Sequence, residues 1–248
     1  MLKRLFKGSY LFFLLFLLLW VSIFLSWQTL RSVNFAYPML YEVMALDETI
    51  ATYGPKNLYK EHFHTTSDEE RFRLFENIVY SIHHDGEGLA EIVYHDSQGK
   101  MIDHLLRPPE VVHLQDVANL IGGLTTFSLV TIALLVLLLG WTKYTNMKMS
   151  FSTKRMFVGT LVFCIMLVAI VLLFGAESVF YQWHTLVFPE NHQWFFYYQE
   201  SLMTTMMRAP DLFGAIAAFL GILLLLYFFV LLKMVSIILK YHLFIVEK

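Results

Sequence analysis

Four stretches constrain this chain more than anything else in it: residues 9–30, 118–141, 157–176 and 212–232 are overwhelmingly apolar and contain no Asp, Glu, Lys or Arg. Crossing about 30 Å of hydrocarbon takes roughly 20 helical residues, so each stretch is long enough to span a bilayer. Only 15% of the 248 residues are charged, against about 25% in an average globular chain. The expected fold class is therefore a mainly α membrane protein, with four transmembrane helices and an α+β segment between the first and second. The first stretch follows Lys3, Arg4 and Lys7. Its apolar core exceeds the roughly 7–15 residues of a signal-peptide core, and no small-x-small cleavage site follows, so it reads as a retained anchor.

Lys and Arg near the span ends set the expected orientation. The 142–156 loop holds Lys143, Lys148, Lys154 and Arg155 with no acid, and Lys233, Lys240 and Lys248 follow the last span. This organisation reads as a cytoplasmic tail and first span (1–30), an extracytoplasmic domain (31–117), a second span (118–141) and a cytoplasmic basic loop (142–156). A third span (157–176), an extracytoplasmic aromatic loop (177–211), a fourth span (212–232) and a cytoplasmic tail (233–248) complete it. Residues 31–117 and 177–211 carry every acidic residue except Glu247 and every histidine except His242. A net charge of −2 thus hides a basic inside and an acidic, histidine-rich outside. It also leaves no basic face for a nucleic acid.

Within 31–117, about 87 residues that suffice for a small domain, Tyr53-Gly54-Pro55 signals a turn. Thr66-Ser67-Asp68-Glu69-Glu70 caps an expected helix whose apolar positions are Phe72, Leu74, Phe75, Ile78 and Val79. Leu89 to Tyr94 and Met101 to Leu106 flank the turn Asp96-Ser97-Gln98-Gly99 as an expected hairpin. Pro108-Pro109 opens a helix continuous with the second span.

The chain has no GxSxG, HExxH, GxxxxGK[ST] or strand-following GxGxxG motif. Its single cysteine, Cys164, lies in an apolar run and excludes both an internal disulfide and a CxxC site. His62, His64, Asp68 and Glu69 read as a solvated loop, as do His83-His84-Asp85. No metal and no cofactor is expected.

Two clusters are better candidates. Glu110-x-x-His113-x-x-Asp116 stands at the mouth of the second span, where a spacing of three puts neighbours on one helical face and lets Asp116 orient the His113 imidazole. The cluster also reads as a histidine and two acids satisfying one another. The second lies in Trp183-His184 through Phe188, Trp194 and Tyr198, dense enough in aromatics to be an interfacial belt. A belt does not account for His184, an ionisable group at the lip of a span. Given the topology, His113 and His184 stand on the same outer side and could share one site.

Glu110-Val-Val-His113-Leu-Gln-Asp116-Val-Ala-Asn119-Leu-Ile121 and His184-Thr-Leu-Val-Phe188-Pro-Glu-Asn-His-Gln-Trp194 resemble the bacterial lipoprotein intramolecular transacylase family. Leu114, Val187 and Glu200 depart from that family's pattern. The resemblance implies a multi-pass protein of the bacterial plasma membrane, for which the Lys and Arg distribution predicts both termini cytoplasmic and an extracytoplasmic active site. Its substrate would be a diacylated lipoprotein among membrane lipids, with no obligate protein partner. The implied reaction moves the sn-2 acyl chain of an S-diacylglyceryl cysteine to the same cysteine's α-amino group, with His113 and His184 as catalytic residues.

The chemistry suits these residues. An α-amine of pKa about 8 needs a base of pKa near 7, and the oxyanion needs a donor. His184 is the expected base and His113, oriented by Asp116, the oxyanion and proton donor, with the reverse assignment open. Glu110, Trp183, Phe188 and Trp194 would form the substrate-binding rim. Arg208 would hold a headgroup or the substrate backbone, or else serve as an interface anchor. The alternative class is a non-enzymatic membrane protein whose outer segment senses a ligand or pH.

Overall fold

The computed structural model describes residues 2–147, 151–209 and 211–246. Lys148, Pro210, Glu247 and Lys248 lie outside the described residues, as do the side chains of Lys3, Arg4, Lys240 and His242. In chain order the elements used below are α1 (Leu2–Ser32), α2 (Tyr37–Val43), α3 (Leu46–Tyr53), α4 (Asp68–Ile82), β1 (Val93–His95), β2 (Met101–His104), α5 (Pro108–Tyr144), α6 (Thr153–Phe174), α7 (Ala176–Val187), α8 (Leu202–Met207) and α9 (Asp211–Val246). The chain divides into two compact units.

The first unit comprises residues 1–29, 124–173 and 218–248. It holds most of the four helices that are long and apolar enough to cross a membrane, found within α1, α5, α6 and α9. Leu14, Leu17, Leu18, Leu135, Phe228 and Leu232 form its core. Small polar groups fasten the helices where apolar packing alone is indifferent to register. The Tyr10 hydroxyl bonds the Thr142 hydroxyl at 2.7 Å, and the Trp20 indole N–H donates to Ser128 Oγ at 3.0 Å. Ser22 and Ser26 satisfy their hydroxyls on the carbonyls of Leu18 and Ser22, one turn back. No residue of α6 is buried, which suits a helix of Leu, Val, Ile and Phe facing acyl chains rather than water.

The 157–176 stretch is not one continuous helix. α6 ends at Phe174 and α7 begins at Ala176, because Gly175 takes φ 84°, a left-handed conformation that a residue with a Cβ adopts only at a cost. The apolar run hides this break, since hydropathy carries no record of backbone hand.

The second unit comprises residues 30–123 and 174–217. α4 forms as the sequence leads one to expect: Ser67 Oγ accepts from the Glu70 N–H at 3.2 Å, three acids occupy the first turn, and Leu74, Phe75, Ile78 and Val79 are buried. The Tyr37 ring stacks on Phe75 at 4.0 Å while its hydroxyl donates to the Met206 carbonyl at 2.8 Å, so α2 and α4 are joined to α8. Arg71 is buried with its guanidinium bonded to Asp68, Tyr41, Thr66 and the His64 carbonyl, which offsets its desolvation.

The hairpin is shorter than expected. β1 starts at Val93, and Leu89 and Ile92 reach the core from turns instead. Gly88, at φ 79°, lets the chain coil so that residues three apart point inward together, which a strand does not allow.

Candidate functional site

The site lies in the second unit and is assembled around the first turns of α5. Pro108 opens that helix, and Glu110 reaches back to accept the Arg107 backbone N–H at 2.7 Å, the reciprocal half of a capping box. The same carboxylate oxygen takes the Arg107 Nε–H at 3.3 Å, and the other accepts a hydrogen bond from the Ser201 hydroxyl. Ser201 also caps α8 by accepting the Thr204 N–H at 2.9 Å. Glu110 is fully buried with both oxygens engaged. It ties the start of α5 to α8 and does not present a carboxylate to a ligand.

One turn on, His113 meets His184 of α7, their ring centroids 6.2 Å apart and their planes 36° apart. The two imidazoles are 8% and 7% exposed. Phe188 faces both, at 4.9 Å from His113 and 5.3 Å from His184. Phe196 closes on His113 at 6.2 Å. Phe180, Trp183 and Trp194 surround His184 at 4.0, 5.0 and 4.9 Å. Burial among these rings pushes the His184 imidazole below its ordinary value, opposed by its bond to the Phe180 carbonyl.

That bond fixes a tautomer. His184 Nδ1 lies 2.8 Å from the Phe180 carbonyl, which can only accept, so neutral His184 carries its proton on Nδ1 and leaves the Nε2 lone pair free. His113 is the converse. Its Nδ1 is buried with no hydrogen-bond partner among the described residues, and burying a bare lone pair there is less costly than burying an unpaired N–H, so the proton belongs on Nε2. One imidazole offers an acceptor and the other a donor.

The structure departs from the expected role of Asp116. It does not orient His113: its carboxylate is held by His192 Nδ1 at 2.6 Å. His192 comes from the irregular segment after α7, which crosses back over α5 and competes successfully for the acid. Arg208 is likewise not gathered to the histidines. Its Nη1 donates to the Met44 carbonyl at 2.9 Å, and its Nε pairs with Asp211 at 3.0 Å.

The histidines, Trp183, Phe188 and Trp194 thus converge with Phe180 and Phe196, while Ser201 bonds Glu110 and His192 bonds Asp116; sequence singled out none of Phe180, Phe196, Ser201 and His192. Of these, Ser201 had a sequence signal, a serine three residues before Thr204 at a helix start. Among the described residues no group of three or more His, Cys, Asp or Glu side chains is placed to hold a metal ion.

Comparison with known proteins bears on the fold and on the family separately. The chain is similar in fold to the in meso structure of a histidine-to-arginine variant of the membrane-integral lipoprotein intramolecular transacylase Lit from Bacillus cereus. That likeness has a TM-score of 0.63 at 12% identity, covering 98% of this chain and 94% of the other. No curated protein sequence matches. Residues 56–213, well over half of the chain, match the family described as "Lipoprotein intramolecular transacylase Lit". The chain belongs to the lipoprotein intramolecular transacylase family.

Proposed function

We propose that this protein moves the sn-2 acyl chain of a lipoprotein's S-diacylglyceryl cysteine onto the cysteine's own α-amine, leaving an N-acyl, S-monoacylglyceryl terminus. The observation that carries this reading is the pair of buried imidazoles facing each other 6.2 Å apart inside a ring of aromatics, in a chain of this family. The site faces the extracytoplasmic side in this reading, with both termini and the 142–156 loop in the cytoplasm.

The neutral amine attacks the sn-2 ester carbonyl, forming the N–C bond and a tetrahedral oxyanion. His113 Nε2–H hydrogen-bonds that oxyanion. His184 Nε2 removes a proton from the attacking nitrogen and returns it to the departing glycerol oxygen as the C–O bond breaks. Sequence reasoning assigned that last step to His113. With a bare Nδ1, however, neutral His113 has one proton and would become an imidazolate on releasing it, so the transfer falls to His184. Ester and amine belong to one molecule, so the aromatic enclosure needs only to hold a reactive conformation, an effect worth about 7–11 kcal/mol when the reacting groups are well oriented. Trp183, about half exposed, and Phe188 and Trp194 would line the path of the acyl chains, each buried CH₂ contributing roughly 0.8 kcal/mol.

The test is the purified protein in nanodiscs with a synthetic diacylglyceryl-cysteinyl peptide, its product read by tandem mass spectrometry. An acyl group on nitrogen and a free sn-2 hydroxyl support the reading. A product acylated anywhere else, or none, contradicts it.

A further inference from the structure

The attack just proposed starts from a neutral amine, and neither histidine of the pair frees that amine of its extra proton. A substrate amine with pKa about 8 arrives at neutral pH largely as an ammonium. Ammonium plus ester gives amide, alcohol and one free proton. His184 returns the proton it takes, and His113 keeps its own, so neither carries the surplus away. Both are also sealed from water, at 7% and 8% exposure.

We infer that His192, backed by Asp116, is the residue that accepts this surplus proton from the substrate ammonium before attack and passes it to solvent. The inference rests on the proposed function. Three observations support it. His192 Nδ1 lies 2.6 Å from Asp116 Oδ2, so the N–H points at the carboxylate and the Nε2 lone pair is turned away from it. Asp116 lies one turn beyond His113 on α5, and the segment bearing His192 also bears Phe188, Trp194 and Phe196, whose rings enclose the histidine pair. Finally, the His192 side chain is 31% exposed and Asp116 16%, which gives the proton an exit that His113 and His184 lack.

In the step, an N–H bond of the ammonium breaks and an Nε2–H bond forms on His192. The imidazolium pairs with Asp116 and then loses its proton to water, and the neutral amine remains to attack. Among the described residues the charged group bonded to His192 is Asp116, with Glu190 two residues away in its own segment and Asp85 beside α5, where its carbonyl accepts from Gln115. His83 and His84 are bonded to the Val79 and Tyr80 carbonyls at the end of α4, His95 to Glu70 and His104 to the Ala90 carbonyl.

The test is the pH profile of kcat, in nanodiscs with the synthetic lipopeptide, for wild type, His192→Ala, His192→Gln and Asp116→Asn. His192→Gln keeps a donor for Asp116 and so preserves the structural tie while removing the base. The expected result is a loss of roughly tenfold at about pH 7 in all three variants, shrinking to within about twofold near pH 9, where the amine is neutral unaided. Recovery at high pH also shows that the variants are folded. A loss of equal size at every pH, or wild-type activity in His192→Gln at pH 7, would reduce His192 to a structural strap and overturn the inference. A wild-type protein that makes no N-acyl product at any pH instead overturns the reaction on which it rests.

Discussion

His113 and His184 face each other at 6.2 Å between ring centroids, with Phe188 packed against both. His113 stands at the start of a helix that runs on into a membrane-spanning stretch. His184 comes from a helix that exists only because Gly175 interrupts an apolar run. In the proposed reaction their meeting gives an acceptor and a donor a shared approach to one substrate. His184→Ala is expected to lower kcat by roughly 10²- to 10⁴-fold, and His113→Ala by about 10²- to 10³-fold. His113→Gln, which keeps an N–H donor, is expected to retain more activity than His113→Ala. Lyso-lipoprotein formation in membranes carrying equal amounts of each variant measures this.

The pH response of His184 follows from its burial. The imidazole must be neutral to act as a base, and burial lowers its pKa from an ordinary value of about 6.5. The neutral form is therefore present at neutral pH and is lost only as pH falls below that ordinary value, through the depressed one. Trp194→Ala opens the His184 environment and is expected to raise its titration midpoint toward 6.5. NMR of labelled imidazoles in nanodiscs reads the shift, and a midpoint that falls or stays fixed in the variant contradicts the burial argument.

The buried Glu110 carboxylate stands on two donors, Ser201 and Arg107. Ser201→Ala removes one of them and the cap of α8 together, at an expected cost of about 1–3 kcal/mol. Thermal unfolding in detergent is expected to show a lowered Tm. The KM of the remaining folded enzyme is expected to stay close to wild type, because this contact shapes the site from below rather than touching substrate.

Phe188 touches both histidines and is itself buried. Phe188→Ala is expected to cost about 3–5 kcal/mol of stability and to lower kcat more than it raises KM, since it frees two rings that must be held. Phe188→Leu keeps most of the volume and is expected to recover most of the activity, as single-turnover kinetics would show.

The orientation is tested with single cysteines placed at the exposed positions Glu48→Cys and Lys143→Cys in a Cys164→Ser background. On intact cells a membrane-impermeant maleimide is expected to label the first and spare the second. The reverse pattern contradicts an extracytoplasmic site.

The four spans were legible because a charge-free run of twenty residues has few alternatives, and α4 because Ser67 and three acids mark its start. The pairing of α5 and α7 histidines was legible as two motifs on one side of a membrane. What sequence could not show depends on contacts between distant positions. Asp116 sits three residues from His113, so helical spacing favours that partner, yet His192, 76 positions away, takes the carboxylate. Ser201 and Glu110, 91 positions apart, carry no mutual signal in a single chain. Nor did hydropathy reveal the left-handed Gly175, which turns one long run into a spanning helix and a short helix bearing His184.

The account's central claim is tested most directly by tandem mass spectrometry of one lipoprotein's N-terminal peptide, from cells with and without this protein. The expected result is a shift from a free-amine diacylglyceryl cysteine to an N-acyl monoacylglyceryl cysteine of unchanged total mass, abolished in His184→Ala. An N-terminus that stays diacylated with a free amine, or gains mass from a third acyl chain, would contradict it.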